Sequence, residues 1–146
     1  MIFRQGEVHL FRLEEGEDLL QGIVAYCREA GIEQAVVSAI GAVRHPTIGA
    51  YDFAQAVYHR LTLEGDWELL ALNGNVSSAE GVEGPFAHLH ILLGGHDGSV
   101  RGGHLFSAEV RVAEVALHVL EGGPLRREPQ SNGLLLWPTG EGGDER

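Results

Sequence analysis

The spacing of turn residues limits what this chain can fold into. From Gln34 onward helical periodicity does not return clearly, and short apolar or alternating runs follow one another, bounded by Gly, Asp, Asn or Pro. Residues 35–40, 47–53, 56–63, 67–76, 87–93, 103–106 and 110–120 read as strands on this pattern. Connections as short as Gly65 with Asp66, or Asp97 with Gly98, suit antiparallel pairs, because a parallel pair needs a long crossover. Upstream, residues 3–11 read as a first strand. Leu20, Ile23, Val24, Cys27 and Ala30 then recur at helical spacing and place one apolar stripe on a helix. Glu14, Glu15, Glu17 and Asp18 suit the positive end of its dipole, and Gly31 suits a left-handed cap. The predicted class is α+β: a mainly antiparallel sheet of about seven strands with one long helix packed on it.

At 146 residues with 44% apolar side chains, the chain has the material for one domain and one core. That domain is expected over residues 1–137, with residues 134–137 docked on its body. Residues 138–146, rich in Gly and acid, have too little apolar area to offset their ordering entropy and are expected to form a flexible acidic tail.

The net charge of -11 comes from 21 acidic residues against 10 basic ones, all of them arginine. They are dispersed, with only Arg126 and Arg127 adjacent, so a polyanionic partner is disfavoured. Cys27 is the single cysteine, which rules out an intrachain disulfide, and its apolar helical position makes it a small buried hydrophobe rather than a nucleophile. The start MIFRQGEVHLF lacks the apolar stretch of a signal peptide or membrane span, so a cytoplasmic, membrane-free setting is expected.

The chemistry concentrates in PFAHLHILLGGHDGSVRGGHLF. His88 and His90 are two residues apart in an apolar run, so on a strand both imidazoles leave the same face. Two imidazoles suit zinc or another divalent transition metal, and a third ligand must come from the neighbouring strand. A two-residue turn at Asp97 and Gly98 would send His104 to the other face. A three-residue loop of His96, Asp97 and Gly98, with Gly98 left-handed, sets Gly95 opposite Ser99 and His90 opposite His104. A bulge at Gly102 and Gly103 offers a second route to the same face, and these glycines would leave the approach to the imidazoles open. The candidate metal ligands are therefore His88, His90 and His104. His96 competes, although its place in the loop suits a solvated side chain; His9, His45, His59 and His118 have no pairing that raises them above surface or core residues. Glu114, inside the apolar run 110–120, is a weak candidate for a fourth ligand, an acceptor for an imidazole N–H or a catalytic acid/base, against the alternative of an exposed strand face. Asn75 in LNGNVS is weaker still.

Taken together, GEDLLQGIVAYCREAGIEQAVVSAIGAV, LNGNVS, the His88-to-His104 segment and AEVALHV resemble the PPC (plants and prokaryotes conserved) domain over most of residues 1–137. The resemblance implies an antiparallel sheet with a packed helix, assembly as a homotrimer, and in prokaryotic members a metal held at the positions of His88, His90 and His104. Family descriptions also call these proteins DNA-binding or regulatory, since plant members join the domain to AT-hook motifs. This sequence has no Arg-Gly-Arg-Pro core, and Arg101-Gly102-Gly103 is not one, so DNA binding is doubtful for so acidic a chain. Three function classes follow: a metal-binding trimer of regulatory type, a metal-dependent hydrolase or lyase acting on a small molecule, and a structural module that presents a surface to partner proteins.

Overall fold

The computed structural model describes residues 1–140; of the expected tail 138–146, residues 141–146 lie outside the described residues. The chain runs β1 (Arg4–Leu13), α1 (Leu19–Ala30), β2 (Ala35–Asp52), β3 (Val57–Thr62), β4 (Asp66–Ala79), β5 (Phe86–Gly94), β6 (Val100–Glu121), β7 (Arg126–Pro129) and β8 (Leu135–Leu136). The sheet has eight strands in the order β3-β2-β6-β5-β4-β7-β8, with β1 on β6 and an added β2–β4 pairing. The pairings β2–β6, β6–β5, β5–β4 and β4–β2 thus close on themselves, so the sheet curls around its core. Every pairing is antiparallel except β4–β7.

The helix is short rather than long. It has 12 residues, about 18 Å at 1.5 Å per residue. The reason lies at its ends. Glu14, Glu15 and Glu17 fall in the turn before it, and Asp18 is the N-cap, its carboxylate accepting from Gln21 N at 2.9 Å. Gly31 closes the other end at φ 68°, a left-handed conformation glycine adopts without a Cβ clash. Asp18 also accepts from Ala108 N on β6 at 2.9 Å, so the cap pins helix to sheet.

Two pairs of expected strands are each one strand. Residues 35–40 and, apart from Phe53, 47–53 belong to the 18-residue β2, and residues 103–106 and 110–120 to the 22-residue β6. Their register slips at Ala42/Val43, Arg44/Thr47 and Thr47/Ile48. Such bulges interrupt the two-residue alternation without ending the pairing, which is why the sequence pattern reads as separate strands. The short β7 and β8 carry no alternation and were not expected.

Leu19, Ile23 and Cys27 of α1 pack with Leu89, Leu93, Leu105, Val110 and Leu117 in one buried cluster. Burial pushes the Cys27 thiol up to about 11, so it stays protonated and inert, a small hydrophobe as expected. No helix of the described residues is long and apolar enough to cross a membrane.

Candidate metal centre

On β5 the alternation is strict: Ala87, Leu89, Ile91 and Leu93 enter the core, so His88 and His90 leave by the opposite face. The β5–β6 hairpin then decides where His104 goes. Gly95 N donates to Ser99 O at 2.8 Å, Gly98 N donates to Gly95 O at 3.0 Å, and Gly98 takes φ 81°. This is the three-residue loop, and it sets His90 directly opposite His104. The register between Val100 and His104 runs without a slip, so the alternative bulge at Gly102 and Gly103 is not used. Those glycines also let the strands approach closely, and Gly103 lines the cavity that the histidines share. A Cβ on Gly102 would come 2.7 Å from the Ile91 carbonyl oxygen, and one on Gly103 2.6 Å from that of Gly49, so both allow close backbone packing.

The three imidazoles come together. One ring nitrogen from each of His88, His90 and His104 lies within 4.8 Å of the other two, and the Nε2 atoms of His88 and His90 are 3.2 Å apart. His88 and His104 are half-buried, and His90 is exposed. His104 is held well below the usual histidine range, at about 4, first by burial and then by the positive charge that His88, His90 and Arg60 would add. Burial lowers His88 too, followed by Arg127 and His90. These two rings are therefore neutral at pH 7, the form a metal requires. His104 Nδ1 is buried with no hydrogen-bond partner. Three converging imidazoles, two of them held neutral by burial and one with an unengaged nitrogen, fit zinc or another borderline divalent ion.

The other sequence candidates fall elsewhere. His96 sits exposed in the hairpin loop. Glu114 is exposed on β6 opposite Ile40 and Arg12, in a separate groove with Leu10 and Asn73, and does not reach the histidines. His9 bonds the Tyr26 hydroxyl at 2.9 Å, His45 Nδ1 accepts from Gly65 N at 3.1 Å, and His59 bonds Asp52 at 3.0 Å. His118 lies on the sheet opposite Val8 and Val36.

Asn75 has a definite place. In LNGNVS, Asn73 stands opposite His90, Gly74 opposite Leu89 and Asn75 opposite His88. A Cβ on Gly74 would overlap the His88 carbonyl oxygen, so glycine lets β4 approach the histidine strand. Asn75 Oδ1 accepts from Arg127 Nη2 at 2.7 Å. Arg127 is the site residue that sequence reasoning missed. It belongs to a strand joined to β4 by only two residue pairs, Ser78 with Arg126 and Ala79 with Arg127, which leaves no periodic signal. The histidines and Arg127 line one open cavity of about 580 Å³, walled by Tyr51, Phe53, Tyr58, Phe86 and residues 134–136. Trp137 fastens that last segment, donating from Nε1 to Ser77 Oγ at 3.1 Å.

Comparison with known proteins agrees with this architecture. AT-hook motif nuclear-localized protein 6 of Arabidopsis thaliana is 30% identical over 99 residues, 66% of this chain and 24% of the plant protein. The chain thus spans about a quarter of the length of the curated relatives it matches. A plant- and prokaryote-conserved (PPC) protein from Pyrococcus horikoshii superimposes with a TM-score of 0.91 at 41% identity, covering 96% of each chain. A metal-containing protein from Archaeoglobus fulgidus does so with a TM-score of 0.87 at 44% identity, covering 94% of this chain and 97% of that one. The profile of the Plants and Prokaryotes Conserved (PCC) domain matches residues 2–121, and the chain belongs to that family.

Proposed function

We propose that this chain is a metal-binding PPC-domain protein that works as a homotrimer, with zinc or another divalent transition ion held by His88, His90 and His104. The observation that carries the reading is the convergence of three ring nitrogens within 4.8 Å along the lining of an open cavity. The metal-containing relative from Archaeoglobus fulgidus supports it. Elemental analysis of the purified protein tests it: about one divalent ion per chain, lost on chelation, is expected for a three-ligand site. Absence of metal after growth and purification with zinc supplied would overturn the reading.

No carboxylate lines this cavity among the described residues, so the protein offers three ligands there rather than four. An open position next to a cavity supports a second reading, a metal-dependent hydrolase or lyase acting on a small molecule. Within one chain Glu114 lines a different groove from the histidines. A purely structural, partner-presenting role is the weaker reading, since a closed four-ligand site would suit it better. The proposed setting is the cytoplasm, in keeping with a single, buried cysteine.

The trimer is argued from the face that carries the histidines. Val8, Leu10, Val36 and Ile40 share that face of the curled sheet and are between 45% and 77% exposed. So much apolar surface on one face is normally covered by a neighbour. Light scattering at micromolar protein is expected to return three times the chain mass, and a monomer mass would refute the assembly.

A further inference from the structure

Arg127 is a buried cation with no counter-ion among the described residues. It is 4% exposed, and the ion pairs of those residues involve other arginines and histidines. Its contacts are all neutral. Nη1 donates to the Leu135 carbonyl at 2.9 Å and Nη2 to Asn75 Oδ1 at 2.7 Å, while the guanidinium carbon lies 4.4 Å from the Trp137 ring centroid and 5.6 Å from that of Phe86. Nε is buried and has no partner. These contacts fix the guanidinium in place, but no described residue compensates its charge in this desolvated position, which is costly unless an anion arrives.

Its position is specific. Asn75, which Arg127 grips, stands opposite His88, and Arg127 and all three histidines line the same cavity. The remaining walls are Tyr51, Phe53, Tyr58, Phe86 and leucines, with Phe53 78% exposed.

We propose that Arg127 is the anion-recognition residue of this cavity and that its ligand is a small organic carboxylate with an apolar body. The carboxylate would lie between the guanidinium and the histidine cluster, and the body against the aromatic walls. A guanidinium fork matches the two oxygens of a carboxylate, and aromatic walls suit an apolar remainder. Aromatic and leucine walls favour a weakly hydrated, singly charged carboxylate with an apolar body over a phosphate, whose heavier hydration costs more to remove. The inference rests on the metal reading for its second anchor, and the test separates the two.

The protein loaded with Co²⁺, its metal content measured, is titrated with benzoate, inorganic phosphate and benzyl alcohol while the visible spectrum is followed. Benzoate is expected to change the spectrum saturably and the neutral alcohol is not. Arg127→Gln should keep its Co²⁺ yet bind benzoate at least roughly tenfold more weakly, the scale of one lost charge-assisted hydrogen bond. A metal-loaded wild type that ignores benzoate, an Arg127→Gln protein that binds it unchanged, or phosphate binding tighter than benzoate would each overturn the proposal and leave the metal reading standing. Should Arg127→Gln fail to fold, Arg127→Lys, which keeps the charge but loses the fork, takes its place, and unchanged benzoate binding by it would overturn the proposal. Should the wild type take up no Co²⁺, the metal reading fails, and calorimetric titration of benzoate into wild type and Arg127→Gln decides the carboxylate site alone: Arg127-dependent binding retains it, and no binding overturns it.

Discussion

His104 sets the electrostatics of the site. In the metal-free folded protein it holds a proton only near pH 4, whereas an unfolded histidine takes one near about 6.5. Between those values the unfolded chain binds more protons than the native one, so stability rises with pH across this window. The stabilising contribution is therefore fully present above about 6.5 and is lost as pH falls towards 4. Urea midpoints of the chelated protein should drop across this interval more steeply for the wild type than for His104→Gln, which cannot titrate. Equal slopes for the two would contradict the burial argument. The histidine cluster is legible in the sequence because strand periodicity and loop length together fix which face each ring leaves. Arg127 is not legible, because what brings it to Asn75 is a contact across 52 positions with no local pattern to announce it.

Among the elements, α1 and the β5–β6 hairpin are set by local chemistry and can be read from the chain. Asp18 and Gly31 delimit the helix, and the left-handed Gly98 delimits the hairpin. The long strands β2 and β6 resist such reading, because Pro46 and the polar stretch around Ser107 look like ends. There the ladder continues through bulges, with the Pro46 carbonyl still accepting from Leu63 N at 2.9 Å. The cap carries a testable cost. Asp18→Ala removes the bond to Gln21 N and also the one to Ala108 N on β6. It should destabilise the fold by about 1–2 kcal/mol, the upper part of the range for a lost N-cap. A urea-denaturation change below about 0.5 kcal/mol would mean that the link to β6 contributes nothing beyond a weak cap.

For the whole molecule, charge decides which partners are reachable. The net charge is -11, and the arginines form no stripe: Arg111 pairs with Glu15 at 2.8 Å and Asp66 at 3.1 Å, Arg60 lies over Phe106 at 3.9 Å, and Arg127 is buried. Affinity of this chain for duplex DNA should therefore be weaker than ordinary non-specific binding, roughly 1–100 µM at physiological salt. Salt-sensitive gel shifts at micromolar protein or below would overturn this. The plant relatives carry the AT-hook in their names, whereas this chain corresponds to about a quarter of their length.

The most direct test of the account is the metal content of four proteins purified identically: wild type, His90→Ala, His104→Ala and His96→Ala. His90 and His104 face each other across the hairpin, and His96 stands exposed in the loop between them. Wild type and His96→Ala should carry about one ion per chain, while His90→Ala and His104→Ala should retain little, since two imidazoles hold a divalent ion far less tightly than three. Full occupancy in His90→Ala and His104→Ala, or loss confined to His96→Ala, would contradict the account.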